Sequence, residues 1–455
     1  DRTFSIDVQP QPDVTEPEWQ TTDRLPSAKI GVPWTVTVAA TDDGGPVTYS
    51  FQGTPPEWVS LDPLTGELTG TTDTAGTYHA VIRATDLAGN RADRTFTIYV
   101  EAEVSFFMIG AGNSHSCGVT TDAKGWCWGS GANGRLGTGN TDSVNIPTAI
   151  HGNYSFSSMA SGQTHTCGIT TAGQPLCWGR NSDGQLGNDS NDDSSVPLPL
   201  AGGHTFIAVT AGELHSCGLK ANGEAWCWGR SAWGRLGTGT TTTNQRIPNQ
   251  VTGGFAFTTI TGYNHTCGLE ANGKAWCWGS GGGGRLGNND TANINYPVEV
   301  QGDLFFKAIS AGNGHTCGLE ADGKAWCWGS GGAGQLGNDS TSDRLVPHPV
   351  AGGHFFVQIS AGDQHTCGLK ADGSAWCWGN GSSGRLGTGS TASSLVPVPI
   401  TGDHVFMSIA TGKDHSCGLT DGGQSWCWGL GTNGRLGNGS TSSTSSPAPV
   451  LDPII

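Results

Sequence analysis

The chain has few basic residues, few charges of either sign and no long hydrophobic run. Its 455 residues contain 22 Lys and Arg against 38 Asp and Glu, which gives a net charge of −16 at pH 7. An acidic protein is a poor partner for phosphate backbones, so we expect no nucleic-acid partner. No stretch approaches the roughly 18 consecutive apolar residues of a transmembrane helix, so we predict no membrane span.

Familiar catalytic motifs are also missing. The sequence has no Gly-x-Ser-x-Gly elbow, no phosphate-binding loop and no His-Glu-x-x-His, so we predict that the protein is not an enzyme. It begins without Met and without a signal peptide, and we expect a mature or excised segment of a longer protein. Residues 1–102 contain no cysteine. Residues 103–455 show no sustained apolar period of 3.6 residues, so we expect almost no helix between 103 and 455.

What is present is a 50-residue unit repeated seven times. Its histidines recur as His115, His165, His215, His265, His315, His365 and His415. Two cysteines follow each histidine and account for all 14 in the chain: Cys117 and Cys127, Cys167 and Cys177, Cys217 and Cys227, Cys267 and Cys277, Cys317 and Cys327, Cys367 and Cys377, and Cys417 and Cys427. A period of this length indicates a solenoid or a propeller.

The spacing within one repeat predicts how the cysteines pair. Runs of aromatic and small apolar residues between Gly, Asn and Asp indicate short strands, and Asp-Gly is a hairpin signal. A three-residue loop at 321–323, with Gly323 left-handed, places Cys317 directly opposite Cys327. At such a non-hydrogen-bonded pair the Cα atoms approach to about 4.5 Å, within disulfide range. We therefore predict seven hairpin disulfides, with weaker support in the first repeat, where Gly125 is displaced by two positions.

Metal binding is the alternative for these residues. His-x-Cys with a second Cys across the hairpin offers three ligands, but structural zinc sites usually take four. We predict no metal and expect each histidine to hydrogen-bond the backbone between neighbouring blades, while the Arg of Gly-Arg-Leu-Gly fixes blades together. Most of the 14 tryptophans in the repeats should pack between blades, with sugar stacking as the functional rival. Trp233 stands where other repeats have small or polar residues and is a contact candidate.

Seven units of four short strands favour a seven-bladed β-propeller over residues 103–455. An open solenoid would need atypical capping repeats, and the first and last repeats here look like the others. The segment Pro447-Ala448-Pro449-Val450 matches the segment that leads into the next unit elsewhere. We therefore expect it to pair with the first unit, around 104–118, and so to close the ring.

The repeated motifs are also familiar. Ala-Gly-x-x-His-Thr-Cys-Gly-Leu, Trp-Cys-Trp-Gly and Gly-Gln-Leu-Gly or Gly-Arg-Leu-Gly resemble the regulator of chromosome condensation repeat family, which implies a seven-bladed propeller. Eukaryotic founding members act as exchange factors for a small GTPase and bind nucleosomes, which needs a basic surface. Plant photoreceptors of this fold carry Trp-Arg before His-Thr, whereas none of the seven equivalent pairs here contains Trp. A secreted bacterial member inhibits β-lactamases through one propeller face, which leaves a binding role open.

Residues 15–102 have a different character. Alternating strands and turn clusters predict a β-sandwich. Pro56-Glu57-Trp58-Val59-Ser60-Leu61-Asp62, together with the later Ala84-Thr85-Asp86, resembles the Ig-like, cadherin-like domains of bacterial surface proteins. Calcium ligation of the cadherin type would need a fuller acidic set than Asp86 and Asp42-Asp43. We therefore predict no cofactor and keep calcium in this domain as an alternative.

The first eight residues, DRTFSIDV, match residues 93–100, DRTFTIYV, at six of eight positions. They are either a remnant of a preceding sandwich domain or a donor strand that inserts into a neighbouring copy, with the rest of 1–14 as a linker. The donor strand would carry Phe4, Ile6 and Val8, and the acceptor strand Phe96, Ile98 and Val100.

Together these features predict an all-β chain in which an Ig-like sandwich precedes a seven-bladed propeller. Fourteen paired cysteines favour an oxidising compartment. We expect an extracellular or cell-surface protein of prokaryotic origin. Its predicted role is structural or adhesive, and the concrete form of this role is a filament subunit assembled by strand exchange. The expected partners are other copies or adjacent domains of a larger surface protein. The alternative is a binding module whose propeller face captures a protein or glycan ligand.

Overall fold

A computed structural model of the chain describes residues 13–43, 45–101 and 104–452. It divides into two compact units, 1–103 and 104–455. The described residues are almost entirely strand and turn, as the absence of a helical period predicts. No helix in these ranges is long and apolar enough to cross a membrane.

The first unit is a β-sandwich of short strands. They are β1 (Glu18–Trp19), β2 (Ala28–Lys29), β3 (Trp34–Thr37), β4 (Ala40–Thr41), β5 (Thr48–Gln52), β6 (Val59–Leu61), β7 (Glu67–Gly70), β8 (Gly76–Thr85) and β9 (Arg91–Glu101). One sheet has the order β2-β9-β8-β5, the other has the order β3-β7-β6, and β1 pairs with β4. Because side chains alternate along a strand, β9 buries one set of residues and exposes the other.

Strand β9 supplies much of the sandwich core. Phe96 and Ile98 are completely buried and Val100 nearly so, all in one hydrophobic cluster. The strand pairs along most of its length with β8 and, near its end, in parallel with β2. The predicted acceptor residues are therefore core residues of a strand that already has neighbours. Phe4, Ile6 and Val8 lie outside the described residues, so strand exchange stays a prediction.

The second unit consists of seven four-stranded antiparallel sheets, one per repeat, which we call blades 1 to 7. Blades 1 to 4 comprise β10 (Phe106–Ala111), β11 (His115–Thr120), β12 (Gly125–Gly129) and β13 (Val144–Ala149); β14 (Phe156–Ser161), β15 (His165–Thr170), β16 (Pro175–Gly179) and β17 (Ser194–Pro199); β18 (Ala208–Ala211), β19 (His215–Leu219), β20 (Ala225–Gly229) and β21 (Gln245–Gln250); and β22 (Phe257–Gly262), β23 (His265–Glu270), β24 (Ala275–Gly279) and β25 (Ile294–Glu299). Blades 5 to 7 comprise β26 (Phe306–Ala311), β27 (His315–Glu320), β28 (Ala325–Gly329) and β29 (Arg344–Pro349); β30 (Gln358–Ala361), β31 (His365–Leu369), β32 (Ala375–Gly379) and β33 (Ser394–Pro399); and β34 (Phe406–Thr411), β35 (His415–Thr420), β36 (Ser425–Gly429) and β37 (Thr444–Pro449). Single 3-10 turns occur at Ala132–Gly134, Ala232–Gly234, Gly282–Gly284, Ser382–Gly384 and Thr432–Gly434.

The hairpin prediction is confirmed in every blade. Cys317 lies opposite Cys327, and the loop closes with Gly323 at φ 96°. All seven pairs are disulfide-bonded, with Cα atoms 4.1 Å apart. In the first repeat the left-handed position falls on Ala123, at φ 65°, rather than on a glycine. The pairing of Cys117 with Cys127 is therefore the same as in the other blades, although the glycine signal in the sequence is weaker.

Tryptophan packing holds the blades together. The second Trp of each Trp-Cys-Trp segment, and its counterpart in the second repeat, is fully buried: Trp128, Trp178, Trp228, Trp278, Trp328, Trp378 and Trp428. Trp178 of blade 2, for example, packs against Val119 and Leu136 of blade 1. The predicted inter-blade role is confirmed for these residues.

The ring closes in a different way from the one that the sequence predicts. Strand β37 pairs with β36 of its own blade, in the register that β29 has with β28. Every blade is thus built from one continuous repeat, and blades 7 and 1 meet side by side like any other pair. The backbone N–H of Phe106 donates to Gly423 O at 2.9 Å, and that of Lys413 donates to Gly112 O at 3.2 Å. The expectation that Pro447-Ala448-Pro449-Val450 pairs with the first unit was wrong, because a period does not specify where each unit begins.

Candidate functional site

The repeat histidines bridge neighbouring blades through a hydroxyl group. His115 Nε2 lies 2.8 Å from Thr166 Oγ1 of the next blade, and this hydroxyl donates to Arg135 O of the first blade at 2.8 Å. The same relay occurs in all seven blades, where the hydroxyls belong to Thr166, Ser216, Thr266, Thr316, Thr366, Ser416 and, across the closure, Ser116. The expected direct bond to backbone is therefore replaced by a bond that reaches the backbone through a side chain.

This relay decides the protonation of the histidines. A hydroxyl has one proton, and here that proton goes to a carbonyl, so Nε2 of the histidine must be the donor. The other ring nitrogen, Nδ1, is buried and unpaired in all seven among the described residues. Burial, followed by the charge of a nearby arginine, lowers the pKa of His165 and of His315 to about 3. The repeat histidines are therefore neutral, structural groups, and their geometry gives no reason to assign them a metal.

The arginines of Gly-Arg-Leu-Gly fix one blade to the next, as predicted. Their Nη1 groups donate to backbone carbonyls of the following blade: Arg135 to Gln163, Arg285 to Asn313, Arg385 to Lys413, and Arg435 to Asn113. Arg235 differs, because its Nη1 group lies 3.4 Å from the Glu213 carboxylate of its own blade. The arginine contact between blades 3 and 4 therefore differs from the contacts that the other four arginines make.

Two faces of the propeller differ in their loops. Loops 112–114 and 130–143, with their six counterparts, form one face, which we call the Trp233 face. The hairpins at 121–124 and the connections at 150–155, with their counterparts, form the hairpin face. These positions follow from the alternating strand directions within each blade.

Trp233 lies in the loop that follows β20 and is held in an unfavourable backbone conformation. Its φ is 65°, its side chain is 44% exposed, and the Arg235 guanidinium lies 4.7 Å from the centre of its ring. Asn133, Ser383 and Asn433 hold the equivalent position at φ 61°. A left-handed conformation costs a non-glycine residue about 1–2 kcal/mol, and is most unusual for a bulky one. No other large hydrophobic side chain in the described loops of this face is as exposed.

A groove of about 330 Å³ lies beside this tryptophan and extends over blades 4 to 6. Two glycines keep it open. A Cβ at Gly283 would come within 2.4 Å of Ser330 Oγ, and Gly314 stands where the other repeats carry a side chain. At these two positions blades 4 and 5 present backbone instead of a side chain.

Amide side chains line the groove and form a ladder across three blades. Asn264 Nδ2 donates to Asn313 Oδ1, and Asn313 Nδ2 donates to Asp363 Oδ1. Asp363 is only 8% exposed. Asn264 Oδ1 is buried and has no partner among the described residues. The ladder fixes the orientation of its amides, so this wall of the groove is preorganised.

Tyr263, next to Asn264, accounts for the different contact of Arg235. The ring lines the central channel, and Glu213 N donates to Tyr263 O at 2.9 Å, whereas the equivalent Asn313 N donates to a glycine carbonyl. Burial, and then the carboxylate of Asp363, raise the pKa of Tyr263. The hydroxyl is therefore a neutral group at the mouth of a channel otherwise lined mainly by Gly, Ala, Ser and Thr.

The hairpin face carries an exposed apolar arc. Its members come from blades 5 to 7 and blade 1, and all are about half exposed or more: Phe305, Phe355, Val357, Val405, Met407 and Phe107. In blades 2 to 4 the residues equivalent to 105 and 107 of blade 1 are mostly polar or small. This arc is the alternative surface for a protein partner.

The sandwich brings Asp13 next to two of the acidic residues considered from the sequence, Asp42 and Asp86. Carboxylate oxygens of Asp13, Asp42 and Asp86 lie within 4.8 Å of one another. Burial opposes ionisation of Asp86, but hydrogen bonds from the side chain and backbone of Asn90 outweigh it and lower the pKa of the carboxyl. Three carboxylates in this arrangement could hold a calcium ion. The set is fuller than Asp86 and Asp42-Asp43 alone, and calcium binding stays a prediction.

The groove residues other than Trp233 are missing from the sequence-based candidates. A comparison of the repeats position by position contains the signal: Gly283 and Gly314 stand where both adjacent repeats carry a side chain, Trp233 and Ala333 for the first and Asn264 and Gln364 for the second. The sequence does not show that the loop of one blade lies against the next blade, as Gly234 lies against Asn295.

Comparison with protein families agrees with this architecture. The RCC1-like domain model matches residues 160–454, and the Regulator of chromosome condensation (RCC1) repeat matches residues 124–169. The family described as "Putative Ig domain" matches residues 12–101. Comparison with curated proteins finds no match.

Solved structures show the same propeller fold. Prp20p from Saccharomyces cerevisiae, reported with binding properties to Gsp1p and histones, is 22% identical, with a TM-score of 0.65 over 77% of this chain and 88% of that one. Human WBSCR16 is 20% identical, with a TM-score of 0.65 over 73% of this chain and 91% of that one. At these identities the likeness concerns the fold alone. With its family model matched over most of its length, the chain belongs to the RCC1-like domain family.

Proposed function

We propose that the chain is a non-catalytic extracellular recognition protein that captures a ligand in the groove beside Trp233. The observation that carries this proposal is Trp233, which has a left-handed backbone and an exposed side chain at the edge of a groove that Gly314 helps to line. Strained residues persist where function retains them, because stability alone favours the Asn, Ser or Gly found in other blades. This strain supports a binding role rather than a purely structural one.

The disulfides support an extracellular location. All 14 cysteines are paired and no described cysteine is free. Disulfides persist in oxidising compartments and are rare in the cytosol. The Ig-like sandwich is also common in surface proteins, and we assign it the role of joining the propeller to neighbouring domains.

The chemistry of the groove supports binding rather than catalysis. A general acid or base needs access to the ligand and a pKa near the working pH. The repeat histidines are completely buried, and burial holds their pKa well below the ordinary value. The amides of the groove position a ligand through hydrogen bonds and do not titrate.

The test compares the binding of two loop variants. The wild-type chain, Trp233→Asn and Asn433→Ser are measured by biolayer interferometry against immobilised polysaccharides and cell-surface proteins. Asn holds the required φ in blades 1 and 7, so Trp233→Asn removes the indole and keeps the loop. Asn433→Ser changes the same position in blade 7 and is the matched control.

We expect at least one ligand to bind the wild type and Asn433→Ser, and to bind Trp233→Asn at least about tenfold more weakly, equivalent to about 1.4 kcal/mol. Equal binding by Trp233→Asn, or no binding to any member of the panel, contradicts the proposal. Loss of binding through Phe355→Ser and Met407→Ser instead would move the site to the hairpin face.

A further inference from the structure

Resting on the proposed function, we infer that the ligand of this groove is a neutral carbohydrate, bound by stacking on Trp233 and by hydrogen bonds to the amide ladder. The inference names the ligand class from two independent features of the groove, its aromatic edge and its polar wall. Neither feature depends on the family to which the propeller belongs.

Trp233 provides a platform of the kind that a sugar ring needs. The C–H groups on one side of a pyranose are weakly positive and pack on the negative face of an aromatic ring. Arg235 lies against the indole, is itself fully buried, and donates to Ala232 O at 3.1 Å. The indole therefore packs against a buried guanidinium, while Trp233 as a whole remains 44% exposed.

The wall of the groove presents groups that match sugar hydroxyls. Each hydroxyl both donates and accepts, and each amide side chain does the same. Asn264, Asn313 and Gln364 line the groove together with Ser280 and Ser330. Asn264 Oδ1 is buried and has no partner among the described residues, so this amide holds an unused acceptor in the wall of the groove. An unsatisfied buried acceptor destabilises the free protein, which favours a ligand that donates to it.

The charges around the groove favour a neutral ligand over an anionic one. Arg285 lines the groove, but its Nε donates to Gly282 O and its Nη1 to Asn313 O, at 2.8 and 2.6 Å. The carboxylate of Asp363 is buried and accepts from Asn313. A sulfated or sialylated sugar would therefore meet a nearby carboxylate and an arginine already engaged with backbone. The chain as a whole carries −16, which also repels anions.

The size of the groove limits the ligand to a short unit. Its volume of about 330 Å³ is at the lower end of the usual range for small-ligand sites, about 300–1,000 Å³. A terminal mono- or disaccharide fits this space better than a long internal stretch of polymer.

A glycan array tests the inference with four forms of the full chain. They are the wild type, Trp233→Asn, Gly314→Gln and Asn433→Ser, and the array carries neutral glycans with their sialylated and sulfated equivalents. Gly314→Gln fills the groove with the residue that blade 6 has at this position, Gln364. The φ of Gly314 is not in the left-handed region, and its Cβ would meet only Ser330, at 3.3 Å. Calorimetric unfolding shows that each variant folds.

We expect the wild type and Asn433→Ser to bind neutral glycans, and the two groove variants to bind them at least about tenfold more weakly. Salt at about 0.5 M should leave the binding unchanged, because no ion pair is involved. Binding that is confined to sulfated or sialylated glycans, or that salt abolishes, overturns the inference. If no glycan binds but a protein is retained through Trp233, the ligand class is wrong and the proposed function stands. Glycan binding that Trp233→Asn leaves intact refutes both.

Discussion

The hydroxyl relay between blades can be tested by replacing Thr166 with Val. The two side chains have nearly the same shape, so the change removes the hydroxyl and little else. His115 Nε2–H and Arg135 O then lose their partner in a fully buried place. This blade suits the test because Trp178 Nε1 has no partner among the described residues, whereas Trp228, Trp378 and Trp428 donate to the equivalent carbonyl in their blades.

The size of the effect follows from the two groups left without partners. Each unsatisfied buried group costs about 1–3 kcal/mol, so we expect Thr166→Val to lower the free energy of unfolding by about 3 kcal/mol. For a unit as long as 104–455 the entropy of unfolding is about 0.7 kcal/mol/K, so the melting temperature should fall by about 4 °C. Thr166→Ser keeps the hydroxyl, as Ser216 and Ser416 do, and should lower it by about 1 °C.

Differential scanning calorimetry of the oxidised protein measures both variants beside the wild type. The propeller transition should move as stated, and the sandwich transition should stay in place. A melting temperature for Thr166→Val equal to that of Thr166→Ser would refute the reasoning, because it would mean that the hydroxyl contributes only its volume.

Four further predictions concern other parts of the chain. Because burial lowers the folded pKa of the repeat histidines below the unfolded value of about 6.5, the unfolded state binds more protons in acid, and propeller stability should be complete above pH 6.5 and fall towards pH 3. A urea midpoint that does not change between pH 7 and pH 5 would contradict this. Ala123→Gly should stabilise the first blade by about 1 kcal/mol in urea unfolding, since it relieves a left-handed alanine, and Gly173→Ala, where the added Cβ meets nothing, should show the opposite sign. If residues 1–8 exchange between copies, light scattering should find polymers for 1–455 and monomers for a chain without 1–8, whereas monomers in both cases would make the segment a remnant. Millimolar calcium should raise the melting temperature of the sandwich, and Asp86→Asn should remove the effect; a rise that persists in this variant would place the ion elsewhere.

Much of the fold could be predicted from the sequence because the chain repeats itself. The disulfide register followed from a loop of three residues, since one turn geometry fixes every pair further along a hairpin. The closure was mispredicted for a related reason. The segment Pro447 to Val450 looks the same as its counterparts, and identical repeats carry no information about which strand begins a blade. Only the observed pairing of β37 with β36 decides this.

The candidate site could be predicted only in part. Trp233 stood out because its position is small or polar in other repeats. The hydroxyl partner of each histidine was present in the sequence as the Ser or Thr that follows the histidine of the next repeat, but the sequence does not show that these two residues meet. The groove forms between blades that lie side by side. Gly314 and Asp363 can therefore be recognised as groove residues only in the folded propeller. The acidic set of the sandwich likewise joins Asp13 to Asp86, which are far apart in the chain.

The measurement that tests the central claim most directly is a crystal structure of the full chain soaked with the neutral glycan that binds best on the array. We expect a sugar ring stacked on the indole of Trp233, with its hydroxyls hydrogen-bonded to Asn264 or Asn313 and with Trp233 still at positive φ. A glycan bound elsewhere on the propeller, or a Trp233 that relaxes to negative φ and leaves the groove, would contradict it.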